Sequence, residues 1–372
     1  MMFRNHVARA RHLLAALFVI APCAYAADEP AKKAIPSLSE ILDASGVAVS
    51  GYVDTSYASS QIAGDNELFP SNNDDGQSFS LNQAALMIAS QPKEGWGALV
   101  NVIGGQAAKI LDAAEGSNPD NFNVTQAFIQ YATGSLTIIG GKFVTLAGAE
   151  VISSPGDYAF SRSILFGYAI PYTHTGVRAT YAVNDMLSLT LGANNGWNSE
   201  SYDHATAELG ATITPIKDVA IIVSSYIGDE PSTTGNSTRQ LYDVVATWTA
   251  TEWLTLILNY DWAKQDDGVA PSQAAEWSGY AGYALFSIND MWKVRLRGEY
   301  FDDKDGYETG FGAPGQKWKE FTGTLAYLPT KSVEFRLDLR EDKSNEQFFT
   351  KTSSDNTKSD QFTYGIEALY KF

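Results

Sequence analysis

Few residues in this chain have the spacing that catalysis or metal binding requires. Gly140-Gly141-Lys142 lacks the leading glycine spacing and the hydroxyl residue of a phosphate-binding loop, so it reads as a strand carrying a lysine. Asp303-Lys304-Asp305-Gly306 echoes a calcium loop, but Phe301 and Gly312 stand where the first and last ligands belong. His174 and His204 are the only histidines after residue 26, and neither has partner spacing for a metal or a nucleophile. The reading is therefore of no catalytic residue, no cofactor and no metal. Asn123-Val124-Thr125 and Asn236-Ser237-Thr238 match glycosylation sequons and are read as accidental. Charge, by contrast, is regularly spaced. Lys293, Arg295, Arg297 and Glu299 alternate with Val294, Leu296 and Gly298, and Glu334, Arg336, Asp338 and Arg340 alternate with Phe335, Leu337 and Leu339. On a strand this puts the charges on one face, and repeated arginine beside an apolar face persists only where the charged face is wet. The chemistry implied is electrostatic contact with ions and solutes.

A second group of charges lies in the longest connection, residues 146–173, LAGAEVISSPGDYAFSRSILFGYAIPYT. It has too many large apolar residues for a loop left in water, and connections this long are usually functional. Either its apolar part packs inward as a constriction or the flanking strands extend further; the first is preferred, because a wide barrel would otherwise hold an open aqueous channel. Folded inward, it brings Glu150 and Asp157 against Arg162 and towards Arg178, Arg295, Arg297, Arg336 and Arg340, with Glu320 on the strand between. That set would give a transverse field. Acidic connections, including Asp65, Glu67, Asp74, Asp75, Asp266, Asp267, Asp302, Asp303 and Asp305, act only near a mouth because salt screens them over about 8 Å. The balance predicts a weak preference for cations.

The elements that position these groups are strands. Leu254, Leu256, Leu258, Tyr260 and Trp262 alternate with Thr255, Asn259 and Asp261, and Ala207, Leu209 and Ala211 with Thr206, Glu208 and Gly210. Short turns fall at 91–95, 133–135, 184–185, 215–218, 251–252, 289–290 and 329–331. Long connections fall at 59–76, 106–121, 146–173, 195–203, 228–238, 265–275, 302–316 and 342–359. These imply an all-β fold, a transmembrane antiparallel up-and-down β-barrel of about 16 strands, with short turns on the periplasmic side. A soluble sandwich shares the alternation, so aromatic positions decide. Trp248, Trp292, Tyr327 and Phe372 read as outward rings at short-turn ends, and Trp262, Trp277 and Tyr300 as outward rings at long-connection ends, as two membrane interfaces select. The second to fifth strands alternate poorly, with the pattern blurred after Gln83. The last segment, 360–372, sets Phe362, Tyr364, Ile366, Ala368, Tyr370 and Phe372 against Gln361, Thr363, Gly365, Glu367 and Lys371, and its edge needs the first strand, 47–57, as partner.

Residues 1–26 carry Arg4, Arg9 and Arg11, an apolar run over 13–21 and Ala24-Tyr25-Ala26, the layout of a cleaved secretory signal. Its removal takes the only cysteine, Cys23, and moves the formal net charge from -17 to -20. So acidic a chain is not expected to bind nucleic acid, and no later apolar run is long enough for a helical span. Residues 27–45 read as a periplasmic lead, in which Ser39 caps a turn or two of helix stopped at Gly46; a small plug is the alternative. Residues 46–372 form the barrel.

Gly51-Tyr52-Val53-Asp54, SFSLNQAAL at 78–86, GGKF at 140–143, SRSILFGYAIP at 161–171, HTGVR at 174–178 and NNGW at 194–197 resemble the OmpL-like beta-barrel porin 2 family, over residues 46–372. The resemblance implies a bacterial outer-membrane barrel acting as a porin, and supplies neither a solute nor site residues. The expected partners are outer-membrane lipid and lipopolysaccharide, small hydrophilic solutes, and the assembly machinery through the C-terminal strand, whose final aromatic resembles an insertion signal. A passive channel, a barrel enzyme and a non-transporting surface adhesin remain distinct readings; an enzyme needs a nucleophile, base and orienter at one rim, and an adhesin needs only loops.

Overall fold

The computed structural model describes residues 42, 44–60, 77–201, 204–347, 349–350 and 357–372. The signal, most of the lead, and Asp65, Glu67, Asp74 and Asp75 lie outside these. Leu42, Ala44 and Ser45 are helical, and Gly46 follows with φ 67°.

The strands are β1 (Ala48–Ser60), β2 (Gln77–Ser90), β3 (Gly95–Gly104), β4 (Phe122–Thr133), β5 (Leu136–Val144), β6 (Thr173–Asn184), β7 (Leu187–Asn194), β8 (Thr206–Ile216) and β9 (Val219–Ser232). They continue with β10 (Gly235–Thr251), β11 (Leu254–Ala270), β12 (Gln273–Ser287), β13 (Trp292–Asp303), β14 (Gln316–Tyr327) and β15 (Val333–Ser344). A small hairpin, β16 (Phe349–Thr350) with β17 (Thr357–Lys358), precedes β18 (Asp360–Lys371). Strands β1–β15 and β18 form a closed antiparallel barrel of 16 strands in which each pairs with its sequence neighbours. The expected count is therefore observed. Closure is made by β1 on β18, in register from Tyr52 opposite Lys371 to Ser60 opposite Thr363. The amide of Gly51 donates to the Phe372 carbonyl and that of Phe372 to the Gly51 carbonyl, both at 2.9 Å, leaving no free edge at the seam.

Burial is inverted relative to a soluble barrel. Phe362, Tyr364, Ile366, Leu337, Leu339 and Leu258 are exposed, while Glu367, Asp338, Arg340 and Asn259 on the opposite parity are buried. Backbone groups pair between strands and the outer face is apolar, which is what hydrocarbon demands of a β-structure.

Four features depart from the sequence reading. Residues 228–238 and 265–275 are not long loops but the ends of paired strands, turning at 233–234 and at 271–272. They read as loops because both faces are polar, and both are polar because β9–β12, at 14 to 17 residues, exceed the roughly 9–11 that cross a bilayer. The connection 105–121 contains a helix, α1 (Gln106–Ala114), burying Ala107, Ala108 and Leu111. Trp277 faces inward and is fully buried, because both faces of β12 are apolar and alternation alone does not fix its parity. Asp303 is not a solvated loop acid: it is buried and accepts from the amides of Tyr307 and Thr309 at 3.0 and 2.9 Å.

The blurred alternation in β2 is a bulge. Asp54 lies opposite Gln83 but Thr55 opposite Leu81, so Asn82 is the extra residue and both Asn82 and Gln83 turn inward.

Candidate functional site

The connection between β5 and β6, residues 145–172, packs against the inner wall. Its apolar side chains seat where the wall has glycine: a Cβ on Gly365 of β18 would lie 2.5 Å from Phe160, on Gly279 of β12 2.4 Å from Leu165, and on Gly210 of β8 2.9 Å from Leu146. Ile152, Phe160, Ile164, Leu165, Phe166 and Ile170 join Leu111 of α1 and Trp277, Tyr283 and Phe301 of the wall in one buried cluster. Here the inner face of β12 carries Trp277, Ala281 and Tyr283, and that of β13 carries Phe301 beside its charges, because they meet protein and not water.

Its backbone is held by the wall's charges. Asp338 accepts from the amides of Phe160 and Ser161 at 2.9 and 3.0 Å, and Glu299 from those of Ile164 and Leu165 at 3.0 and 3.2 Å. Arg295 donates to the Tyr158 carbonyl at 3.0 Å, Arg336 to that of Ser154 at 3.2 Å and Arg340 to that of Arg162 at 2.6 Å. On the adjoining strands β1 and β2, across the seam from β18, the Gln83 side-chain amide donates to the Ile152 carbonyl at 2.8 Å and Ser154 Oγ to Asp54 at 2.6 Å. A peptide taken from water into this interior keeps its hydrogen bonds only because such partners stand ready.

Ion pairs tie the charges together. Arg297 is the hub: it lies 2.7 Å from Glu150, 3.2 Å from Glu299 and 3.2 Å from Glu320, and donates to the Ser161 carbonyl at 2.8 Å. Glu150 also accepts from the Ser163 amide at 2.8 Å and the Tyr283 hydroxyl at 3.3 Å. Arg336 pairs with Glu334 at 2.9 Å and Glu367 at 3.1 Å, Arg340 with Asp342 at 2.8 Å, and Arg295 with Glu334 at 2.9 Å. Arg162 pairs with Asp157 and reaches the carbonyls of Val151 and Ile152 at 2.7 Å each.

Eight of the sequence-selected charges thus meet where the inward segment crosses to β13–β15 and β18. Arg178 stands apart on β6, gripping Glu208 at 2.6 Å, stacked 4.2 Å over Phe143 and donating to the Val144 carbonyl at 3.0 Å. Each arginine of the set has a carboxylate partner, so an acid row facing a free basic row does not describe the arrangement. Asp54, Asn82, Gln83, Ser154 and Asn259 were not selected from sequence; inward parity was the available signal for Asp54 and Asn259, the β2 bulge obscured it at Asn82 and Gln83, and Ser154 lies in the inward segment, which has no strand parity. Lys142 pairs with Glu115 at 2.8 Å and Glu200 at 2.7 Å, tying β5 to the 105–121 and 195–205 connections.

Among solved structures, the chain is similar to the outer membrane channel DcaP of Acinetobacter baumannii, with TM-score 0.62 and 13% identity over 88% of this chain and 97% of that one. It is similar to OprB of Pseudomonas putida, with TM-score 0.61 and 14% identity over 90% and 96%. It also resembles an anion-selective porin from Comamonas acidovorans, with TM-score 0.60 and 11% identity over 88% and 99%. At these identities the likeness is one of fold. No curated protein matches the sequence. A family model does match, over residues 46–372, which is the whole barrel, and by it the chain belongs to the family described as putative beta-barrel porin-2, OmpL-like.

Proposed function

We propose that this protein is a non-enzymatic outer-membrane porin, exported by a cleaved signal over residues 1–26, that forms a water-filled channel for passive diffusion of small hydrophilic solutes and ions. The observation carrying this reading is an apolar outer face around a charged lumen narrowed by the inward segment 145–172. Glu150, Asp157, Arg162, Arg178, Arg295, Arg297, Glu320, Arg336 and Arg340 are the proposed constriction set. Outer-membrane lipid and lipopolysaccharide surround it, and the assembly machinery engages β18.

A weak cation preference is supported by the surplus of acids. Asp54, Asp243, Asp261 and Asp338 join the paired carboxylates inside, and among described buried residues Asp and Glu outnumber Lys and Arg fifteen to six. Pairing keeps the field local, so selectivity is small and fades as salt rises. Planar-bilayer recording tests this. Ohmic conductance with a modestly cation-selective reversal potential at low salt supports the reading; a sealed barrel, or strong anion selectivity, overturns it.

A further inference from the structure

Arg239 stands apart from the other arginines. Seven arginines lie among the described residues, and the other six each have a carboxylate within 4 Å; Arg239 has none. It sits on the inner face of β10, in the part that continues past the membrane towards the long-connection end. Aromatic rings take the place of an acid: its guanidinium carbon is 4.9 Å from the Trp197 ring centroid, 5.6 Å from Trp277 and 5.7 Å from Tyr307. Trp277 backs this cage, edge-on to Trp197 at 6.3 Å and stacked on Tyr307 at 5.9 Å.

Geometry leaves the cation partly unspent. Nε donates to Gln265 at 2.7 Å and Nη2 to the Tyr307 hydroxyl at 2.9 Å, while Nη1 has no acceptor among the described residues. Arg239, Trp197 and Tyr307 are only half-buried, so the cage is within reach of solvent. Glu230, the acid that acts on Arg239 through space, is engaged by the Trp197 amide at 2.6 Å. A guanidinium set among rings with Nη1 unengaged is suited to a carboxylate, and neighbouring rings are suited to a planar apolar body.

We infer that Arg239, Trp197 and Tyr307, backed by Trp277, form a solute subsite at the long-connection mouth of the lumen for small organic anions that carry a carboxylate on a planar apolar ring. The inference rests on the porin reading for its role in uptake, but binding at the cage is measurable without transport. In an otherwise acid-rich lumen, this cation is the feature that lets a carboxylate dwell at the entrance.

Benzoate is the probe, with acetate and benzyl alcohol as charge-only and ring-only controls. Benzoate quenches tryptophan fluorescence of the detergent-solubilised barrel and, added on the long-connection side of a bilayer, interrupts the current; the controls at equal concentration do neither. Arg239→Gln weakens both effects about tenfold or more, the worth of a charge-assisted hydrogen bond, and Arg239→Lys retains part of them. Trp197→Leu gives the same loss and serves if Arg239→Gln does not fold. Equal benzoate affinity in wild type and in folded Arg239→Gln, or benzyl alcohol binding as well as benzoate, overturns the inference. Quenching without any conductance leaves the subsite standing and removes the porin reading; conductance without quenching or block does the reverse.

Discussion

Phe160, in the segment folded into the lumen, lies so close over Gly365 of β18 that a methyl group there would come within 2.5 Å of its ring. Any larger side chain at 365 and the aromatic ring cannot both be accommodated. Gly365→Leu is expected to displace the segment locally, at a cost of about 1–3 kcal/mol from overpacking, while leaving the outward face of β18 untouched. A folded, heat-modifiable barrel with altered single-channel conductance is the expected outcome; unchanged conductance would show that 145–172 does not control the passage.

Arg297 joins Glu150 of that segment to Glu299 and Glu320 of the wall, all four nearly inaccessible to water. Removing one member of a buried pair leaves charge uncompensated, so Arg297→Met is expected to destabilise by about 3–5 kcal/mol. The measurement is the temperature at which the barrel loses its compact gel mobility. Arg297→Met combined with Glu150→Gln should recover part of the loss; no recovery would mean that the two residues are not coupled.

Selectivity gives a third test. Glu150 and Asp157 are each engaged by arginine, so converting both to Gln and Asn strips acid from the proposed constriction, leaving Arg162 without its carboxylate and Arg297 with only Glu299 and Glu320. Reversal potentials under a salt gradient should move towards anions, most clearly at low salt where screening is weakest. A reversal potential identical to wild type would place the selective ring elsewhere.

Phe372 closes the seam through both its amide and its carbonyl to Gly51, and its ring lies over Gly51, where a Cβ would meet it at 2.5 Å. Burying one aromatic contributes only about 1.5–3 kcal/mol, so a deletion acting through packing alone should weaken the barrel, not prevent it. Deletion of Phe372 is expected to block assembly in cells yet permit refolding in detergent. Equal loss in both settings would reduce its role to the seam contact, and Gly51→Ala gives the reference for that.

The long β9–β10 and β11–β12 hairpins predict orientation. If Cys23 leaves with the signal, single cysteines can be added without background. Ser272→Cys, at the β11–β12 turn, should react with an impermeant thiol reagent on intact cells, and Asp185→Cys, at a short turn, only after the envelope is opened. The reverse pattern would invert the barrel.

Much of this protein was legible in its sequence because a membrane barrel writes itself locally. Lipid on one side and charge on the other impose period two on every strand, so Leu337 with Leu339 and Arg336 with Arg340 declare their faces without knowledge of neighbours. The seven short turns and the count of 16 follow from where that period breaks. What depends on packing across the lumen was not legible. Trp277 was assigned to lipid because nothing local says that the inward segment gives β12 a second apolar face. The Asn82 bulge shows only as blurred parity until Asp54 stands opposite Gln83. Glu150, Asp157 and Arg162 were recognisable as inward charges. Asp157 against Arg162 was expected too; that Glu150 would be taken by Arg297, and that Asp338, Glu299 and Arg340 would hold the segment's backbone in place, was decided by side chains from strands more than a hundred residues away.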